Sequence, residues 1–228
     1  MTIPLRHVTW KPCWRIIPTH YSKKKPFDRV TDPEDREVIE QLEQMTNERT
    51  RQEHGDISLV LPGDRATGPG SAYIMAAFTY RNPIGSRFSD GSFGVYYAAR
   101  TIETAIEESS FHRENFLRYT KEDPMRLEML ALTANLSGDL HDIRGMAKQF
   151  PKVYSRTKSS ASQELGIKLR KGGSHGIAYD SVRHQDGECA AIFRPRILSH
   201  CRRERHLIYE WDGKQISRVF ELREYLHG

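Results

Sequence analysis

Gly85-Ser86-Arg87-Phe88-Ser89-Asp90-Gly91, then Gly94-Val95-Tyr96-Tyr97-Ala98-Ala99, then Thr104-Ala105-Ile106-Glu107-Glu108-Ser109-Ser110-Phe111-His112 read as one loop–strand–helix unit. The glycines bounding the first segment let the backbone turn tightly and approach a ligand closely. Phe93 to Ala99 is rich in β-formers and predicts a buried strand. Thr101 has the hydroxyl of a helix N-cap and predicts a helix running to about Tyr119. Ile102, Ala105, Ile106, Ser109 and Phe116 form its packed face, and Glu108 and His112 lie one turn apart on the edge of that face.

Working outward, Trp10 to Tyr21 reads as extended chain, with Trp14-Arg15-Ile16-Ile17 its strand. Asp32-Pro33-Glu34-Asp35 is a helix start: Asp caps, Pro takes the first helical position and acids fill the first turn. Val38, Leu42 and Met45 give that helix one apolar stripe, and it frays near His54-Gly55. Residues 62–70 read as loop, and the apolar run Tyr73 to Tyr80 fits helix or strand equally. Leu127 to Leu136 predicts a strand, although its Met, Leu and Ala also suit a helix. Ser160 to Leu169 predicts a helix ended by Lys171-Gly172-Gly173. Gly176 to Tyr179 and Cys189 to Phe193 read as strands joined by a polar turn; His206 to Trp211, Asp212-Gly213 and Gln215 to Leu222 read as a hairpin. Strands and helices interleave without a regular βαβ series, so the expected class is α+β, not a doubly wound sheet.

The 228 residues suffice for one sizeable core and need not divide, so a single domain over 1–228 is expected. No apolar run approaches the ~18–20 residues that span a bilayer. The start, Met1-Thr2-Ile3-Pro4-Leu5-Arg6-His7, lacks the apolar core of a signal peptide. Cys13, Cys189 and Cys201 form no CxxC pair and no disulfide framework, which makes a reducing cytoplasm the expected location. The net charge of +5 and a pI near 9.1, with clusters at Lys23-Lys24-Lys25 and Arg202-Arg203-Glu204-Arg205, fit solvated surface or an acidic partner. No zinc finger, RNP aromatic set or basic zipper accompanies them, so direct nucleic-acid binding is not expected. A nucleic-acid-binding or RNA-cleaving protein is the rival reading, and a non-catalytic interaction module a third.

The chemistry centres on a few side chains. A helix-edge carboxylate such as Glu108, facing a glycosidic carbon, can hold a ribose hydroxyl and stabilise oxocarbenium charge. Arg87, in a glycine-flanked loop, suits pyrophosphate because a guanidinium presents two parallel donors. Tyr97, read alone, is a core aromatic. Ser181, in Ala178-Tyr179-Asp180-Ser181-Val182-Arg183, is a turn residue or a hydrogen-bond donor to a ligand. Asp180, Ser181 and His184 are too close along the chain for a hydrolase triad, and no GxSxG elbow is present. Glu108 and His112 supply two metal-ligand types without an evident third, so no metal is expected. With neither a GxGxxG after a strand nor a Walker loop, any NAD must bind outside a Rossmann fold. A cation, an aromatic ring and a carboxylate on adjoining elements are what breaking the nicotinamide–ribose bond of NAD requires.

In order along the chain, Trp14-Arg15, Gly68-Pro69-Gly70, Ser86-Arg87-Phe88, Tyr97, Ala105-Ile106-Glu107-Glu108 with His112, and Gly176-Ile177-Ala178-Tyr179-Asp180-Ser181-Val182-Arg183 resemble the pattern of the RES domain family. The resemblance covers residues ~14–21 and ~68–210, and the 176–183 segment is its best single match. Ser86 and Phe88 depart from the Gly and Trp common around the arginine, and residues 22–67 form a longer helical and loop insertion than compact members carry. The resemblance implies an ADP-ribosyltransferase-like fold of mixed, mostly antiparallel β-sheets with flanking helices. It implies the toxin of a bacterial type II toxin–antitoxin pair that uses NAD as co-substrate. Such a toxin transfers ADP-ribose to a protein, or else degrades NAD by hydrolysis or phosphorolysis. The implied partner is a Xre-like helix-turn-helix antitoxin that covers the active site. By the same resemblance Arg15 and Arg87 hold NAD phosphate or ribose, Tyr97 stacks near nicotinamide, Glu108 stabilises the ribosyl cation and Ser181 hydrogen-bonds the nicotinamide ribose.

Overall fold

The computed structural model describes residues 2–19, 55–80 and 84–223. The helix expected from Asp32, the Lys23-Lys24-Lys25 cluster and most of the 22–67 insertion lie outside the described residues.

Among those residues, seven strands form one sheet: β1 (Leu5–Pro18), β2 (Tyr96–Ala99), β3 (Met125–Asp142), β4 (Gly176–Asp180), β5 (Glu188–Ile192), β6 (Leu198–Trp211) and β7 (Ile216–Leu222). The order is β1-β2-β5-β4-β3-β6-β7, and a further β1–β3 pairing closes the first five strands into a ring. Every pairing is antiparallel except β3 with β4. Three helices flank the sheet: α1 (Ser71–Met75), α2 (Ile102–Tyr119) and α3 (Ser160–Lys171). This is the α+β class that the pattern of elements predicts, with the mixed and mostly antiparallel sheet that the resemblance implies.

The central strand β3 explains its own ambiguity in sequence. Leu130, Leu132, Ala134, Leu136 and Leu140 enter one core, while Leu127, Met129 and Ala131 enter a second. A strand buried on both faces has no polar alternation, so periodicity cannot separate it from a helix. The run after Tyr73 resolves as the short helix α1 and turns, and Pro62–Asp64, expected as loop, forms a 3₁₀ turn. Strand β2 begins at Tyr96, not Phe93, and β6 reaches back to Leu198, well before His206. The hairpin loop is longer than a two-residue turn. Gly213 alone takes a positive φ of 95°, and the Asp212 carboxylate accepts from the backbone N–H of Lys214 (2.8 Å) and Gln215 (2.9 Å).

Helix α2 starts where Thr101 predicts, with the Thr101 hydroxyl accepting from the Thr104 N–H. Ala105 packs into the core over β4 and β5, Phe116 and Leu117 into the core over β3 and β6. Ile102, Ile106 and Ser109 are only half-buried, so the buried stripe sits further round the helix, on Thr104, Ala105, Arg113, Phe116 and Leu117. Helix α2 thereby bridges two cores and carries Glu108 between them.

Candidate active site

Strands β2, β5 and β4 build the floor of the site. Tyr97 pairs with Ala191 and Ala99 with Cys189, while Ala191 pairs with Ile177 and Cys189 with Tyr179. Directly paired residues and their i+2 neighbours share a face, so Tyr97, Cys189, Tyr179 and, just past β4, Ser181 project toward one side. Helix α2 crosses that side with Ala105 against the same core.

The 85–91 loop is fixed from two directions. Gly85 has φ 78°, and a Cβ there would sit 2.5 Å from the Ser89 carbonyl oxygen, so only glycine permits the Ser86–Ser89 bridge that follows. Helix α3 closes the other side: Gln163 Nε2 donates to the carbonyls of Ser86 (3.0 Å) and Ser89 (3.3 Å). Gly166 packs so tightly that a Cβ there would lie 2.0 Å from the Phe88 carbonyl oxygen. Phe88 is buried, its ring edge-on to Tyr179 at 4.9 Å. The Phe that replaces the family's usual Trp thus packs on the strand leading to Ser181.

Glu108 and Ser181, 73 residues apart, meet directly: Ser181 Oγ donates to Glu108 Oε1 at 2.6 Å. Ser181 Oγ in turn accepts from the N–H groups of Arg183 (3.1 Å) and His184 (2.9 Å), which fixes the hydroxyl's direction. His184 Nδ1 bonds Thr104 Oγ1 at 2.9 Å, clasping the 181–187 loop to the first turn of α2. Cys189 Sγ points at the same carboxylate oxygen from 3.9 Å; burial and then the Glu108 charge push its thiol pKa well above the ordinary value, so it is a neutral donor. Glu108 Oε2 has no hydrogen-bond partner among the described residues. One carboxylate oxygen is thus anchored and the other is not.

Arg87 and Arg183 stand near this pair, and among the described residues neither forms an ion pair with a carboxylate. Arg87 Nη1 donates to the carbonyls of Val153 (3.1 Å) and Ser155 (3.3 Å), and its Nη2 to Ser155 (3.3 Å). Those bonds orient the guanidinium without neutralising it. Arg183 lies on the Phe111 ring, 3.3 Å from its centroid, and donates to the Arg156 carbonyl at 2.7 Å. Burial first, and then the charge of Arg87, hold its pKa below the ordinary arginine value, which marks the two cations as neighbours. Arg15, from β1, sits 4.6 Å from the Tyr96 ring centroid and donates to the Tyr97 carbonyl at 3.4 Å. The Tyr97 hydroxyl bonds Ser86 Oγ (2.8 Å) and accepts from the Phe88 N–H (2.9 Å). Burial pushes its pKa up to about 12, against the pull of those two bonds and then of Arg87 and Arg15. Tyr97 therefore braces the arginine loop.

Of the five residues singled out in the sequence, Arg87, Tyr97, Glu108 and Ser181 come together at this cleft, whereas Arg15 stands against Tyr96, whose ring enters the other core, and reaches the site through the Tyr97 carbonyl. Arg183 and Phe111 escaped notice as site residues. The signals were present: Arg183 closes the 176–183 motif, and Phe111 lies at i+3 from Glu108 on the same helix face. Cys189 gave no signal, because only the β4–β5 register brings it to Glu108. Among the described residues no His, Cys, Asp and Glu side chains gather in a group of three able to hold a metal.

Comparison with known proteins places the chain. A curated protein of Sinorhizobium fredii, the uncharacterised protein y4oC, is 28% identical over 207 residues, covering 91% of this chain and 86% of the relative. The toxin–antitoxin complex MbcT–MbcA of M. tuberculosis contains a chain matched at a TM-score of 0.47 and 11% identity, with 88% of this chain and 86% of that one covered. The family model of the RES domain matches residues 64–212, more than half of the chain, spanning Arg87, Tyr97, Glu108 and Ser181 and leaving Arg15 outside. The chain belongs to the RES domain family.

Proposed function

We propose that this protein is the toxin of a bacterial toxin–antitoxin pair, cleaving NAD at the nicotinamide–ribose bond and passing ADP-ribose to a protein. The observation that carries the reading is the Glu108 carboxylate, held through Oε1 by Ser181 with Oε2 unpartnered, beside the Arg87 and Arg183 guanidiniums. The glycosidic C–N bond breaks and its electron pair leaves with nicotinamide, which departs neutral. Positive charge develops on the ribosyl carbon and its ring oxygen, and Glu108 Oε2 offers the opposite charge to it or accepts from a ribose hydroxyl. Ser181 keeps the carboxylate in place while that charge appears. Arg87 and Arg183, with Arg15 behind Tyr97, supply the positive field that the pyrophosphate needs. An acceptor side chain then adds to the ribosyl carbon and gives up its proton.

Water or phosphate as acceptor makes the same protein an NAD glycohydrolase or phosphorylase, and the first step is common to all three. The Xre-like antitoxin implied by the family is the partner that would cover this cleft.

The test is incubation of purified protein with NAD labelled on the adenylate, with and without bacterial lysate. Free nicotinamide and label on protein are followed together, with Glu108→Ala as control. Label on a discrete protein supports transfer; nicotinamide release without labelled protein assigns NAD degradation. Release of neither overturns the reading.

A further inference from the structure

A second cleft opens at the far end of β5 from Glu108. Cys189, at the start of β5, points at Glu108, whereas Arg194 lies just past its end and lines the other cavity. Along extended chain that separation is about 16 Å at roughly 3.3 Å per residue. The cavity, of about 330 Å³, has an apolar wall of Leu59, Val60, Phe78 and Phe93 and a charged wall of Arg170 and Arg194.

The charges in it do not balance. Asp64, itself buried, is shared: Arg194 Nη1 pairs with its Oδ2, and Arg196 Nε lies 3.5 Å from its Oδ1. Arg170, from the last turn of α3, lies on the Phe93 ring, 4.8 Å from its centroid. Its buried Nε has no hydrogen-bond partner, and neither does either Nη among the described residues. Burial, and then the Arg194 cation, hold the Arg170 pKa below its ordinary value, though it stays charged at neutral pH. A half-buried guanidinium without an acceptor is costly, and its fork matches two oxygens of one anion. Arg170 and Arg194 line the cavity and Arg196 draws on the same Asp64 carboxylate from outside the lining, which leaves an excess of positive charge that suits a dianion.

We propose that this cleft binds a small organic phosphate monoester, its phosphate on the fork of Arg170 and its flat or apolar body against Leu59, Val60 and Phe78. Ser58, also in the lining, supplies a hydroxyl donor to a remaining phosphate oxygen, whereas the Ser92 hydroxyl already donates to Asp90. The site is separate from the Glu108 cleft and stands whether or not NAD is cleaved there.

The test is calorimetric titration of the full chain with phenyl phosphate, inorganic phosphate and benzoate. Phenyl phosphate is expected to bind the wild type, at least tenfold more weakly to Arg170→Gln, with Arg170→Lys between, and unchanged to Arg87→Gln. Thermal unfolding without probe checks that each variant folds, and Arg170→Lys preserves the charge if Arg170→Gln does not fold. Inorganic phosphate bound as tightly as phenyl phosphate would remove the organic body from the assignment. Benzoate bound more tightly would replace phosphate by carboxylate. Equal affinity in wild type and both Arg170 variants, loss in Arg87→Gln alone, or no heat with the wild type would each overturn the proposal.

Discussion

Ser181 and Glu108 show what one hydrogen bond can decide. The short 2.6 Å bond fixes which carboxylate oxygen is occupied and which faces outward. Ser181→Ala is therefore expected to lower kcat for nicotinamide release about 10²-fold while KM changes much less, as for loss of one positioned donor at a charge-developing centre. Steady-state kinetics on NAD reads this directly; an equal rise in KM with kcat untouched would make Ser181 a ground-state contact. Arg183→Gln is expected to raise KM for NAD roughly tenfold, because its charge meets the substrate before and during reaction alike. Both Glu108 and Ser181 were legible in sequence, through a motif and a helix edge. Their direct bond was not, since no local pattern relates positions 73 residues apart. The same holds for Tyr97: its strand was legible, while its grip on Ser86 and Phe88 depends on how the 85–91 loop folds back.

Elements hold the site as much as side chains do. Helix α3 presses on the arginine loop at Gly166, where any Cβ meets the Phe88 carbonyl oxygen. Gly166→Val is expected to cost about 1–3 kcal/mol in unfolding free energy through overpacking. It should also weaken NAD turnover by moving Arg87, although Gly166 lies on another element; denaturant unfolding beside kinetics measures both. At the far end of β3, Asp142 is 3% exposed and bonded to Arg144, which also pairs with Glu188 on β5. Burial alone would raise the Asp142 pKa, but the bonds from Arg144 and the charge of Arg6 outweigh it and hold the carboxyl below its ordinary value. A depressed carboxyl contributes stability that is present at neutral pH and lost as pH falls below about 4. Melting temperature should accordingly drop more steeply from pH 5 to pH 2 in the wild type than in Asp142→Asn. Parallel pH dependences would remove Asp142 from the acid response. The helix capped by Thr101, the helix ended at Gly172 and the strand from Gly176 were read correctly because their signals are local. Strand β3 stayed ambiguous because burial on both faces erases its alternation, and the closure of β1 on β3 is a pairing across more than a hundred residues that no window of sequence reveals.

At the scale of the whole molecule, the net charge of +5 includes a basic stretch on β6 whose charges are largely paired. In the basic stretch of β6, Arg202 pairs with Glu204 and Arg205 with Glu221, while Arg126 and Arg218 both approach Glu210. Interleaved signs of this kind make a poor track for a phosphate backbone. A filter-binding assay at about 0.15 M salt is therefore expected to retain no RNA, and tight, steeply salt-dependent retention would revive the RNA-directed reading. Guanidiniums crowd one another instead beside Glu108, at Arg87 and Arg183, and in the second cleft, at Arg170 and Arg194. The central claim is that the Glu108 cleft breaks the nicotinamide–ribose bond. Nicotinamide release from NAD by the wild type and by Glu108→Gln, matched for melting temperature, tests it most directly. The account predicts steady release from the wild type and none above background from Glu108→Gln. Equal release from both, or none from a folded wild type, would contradict it.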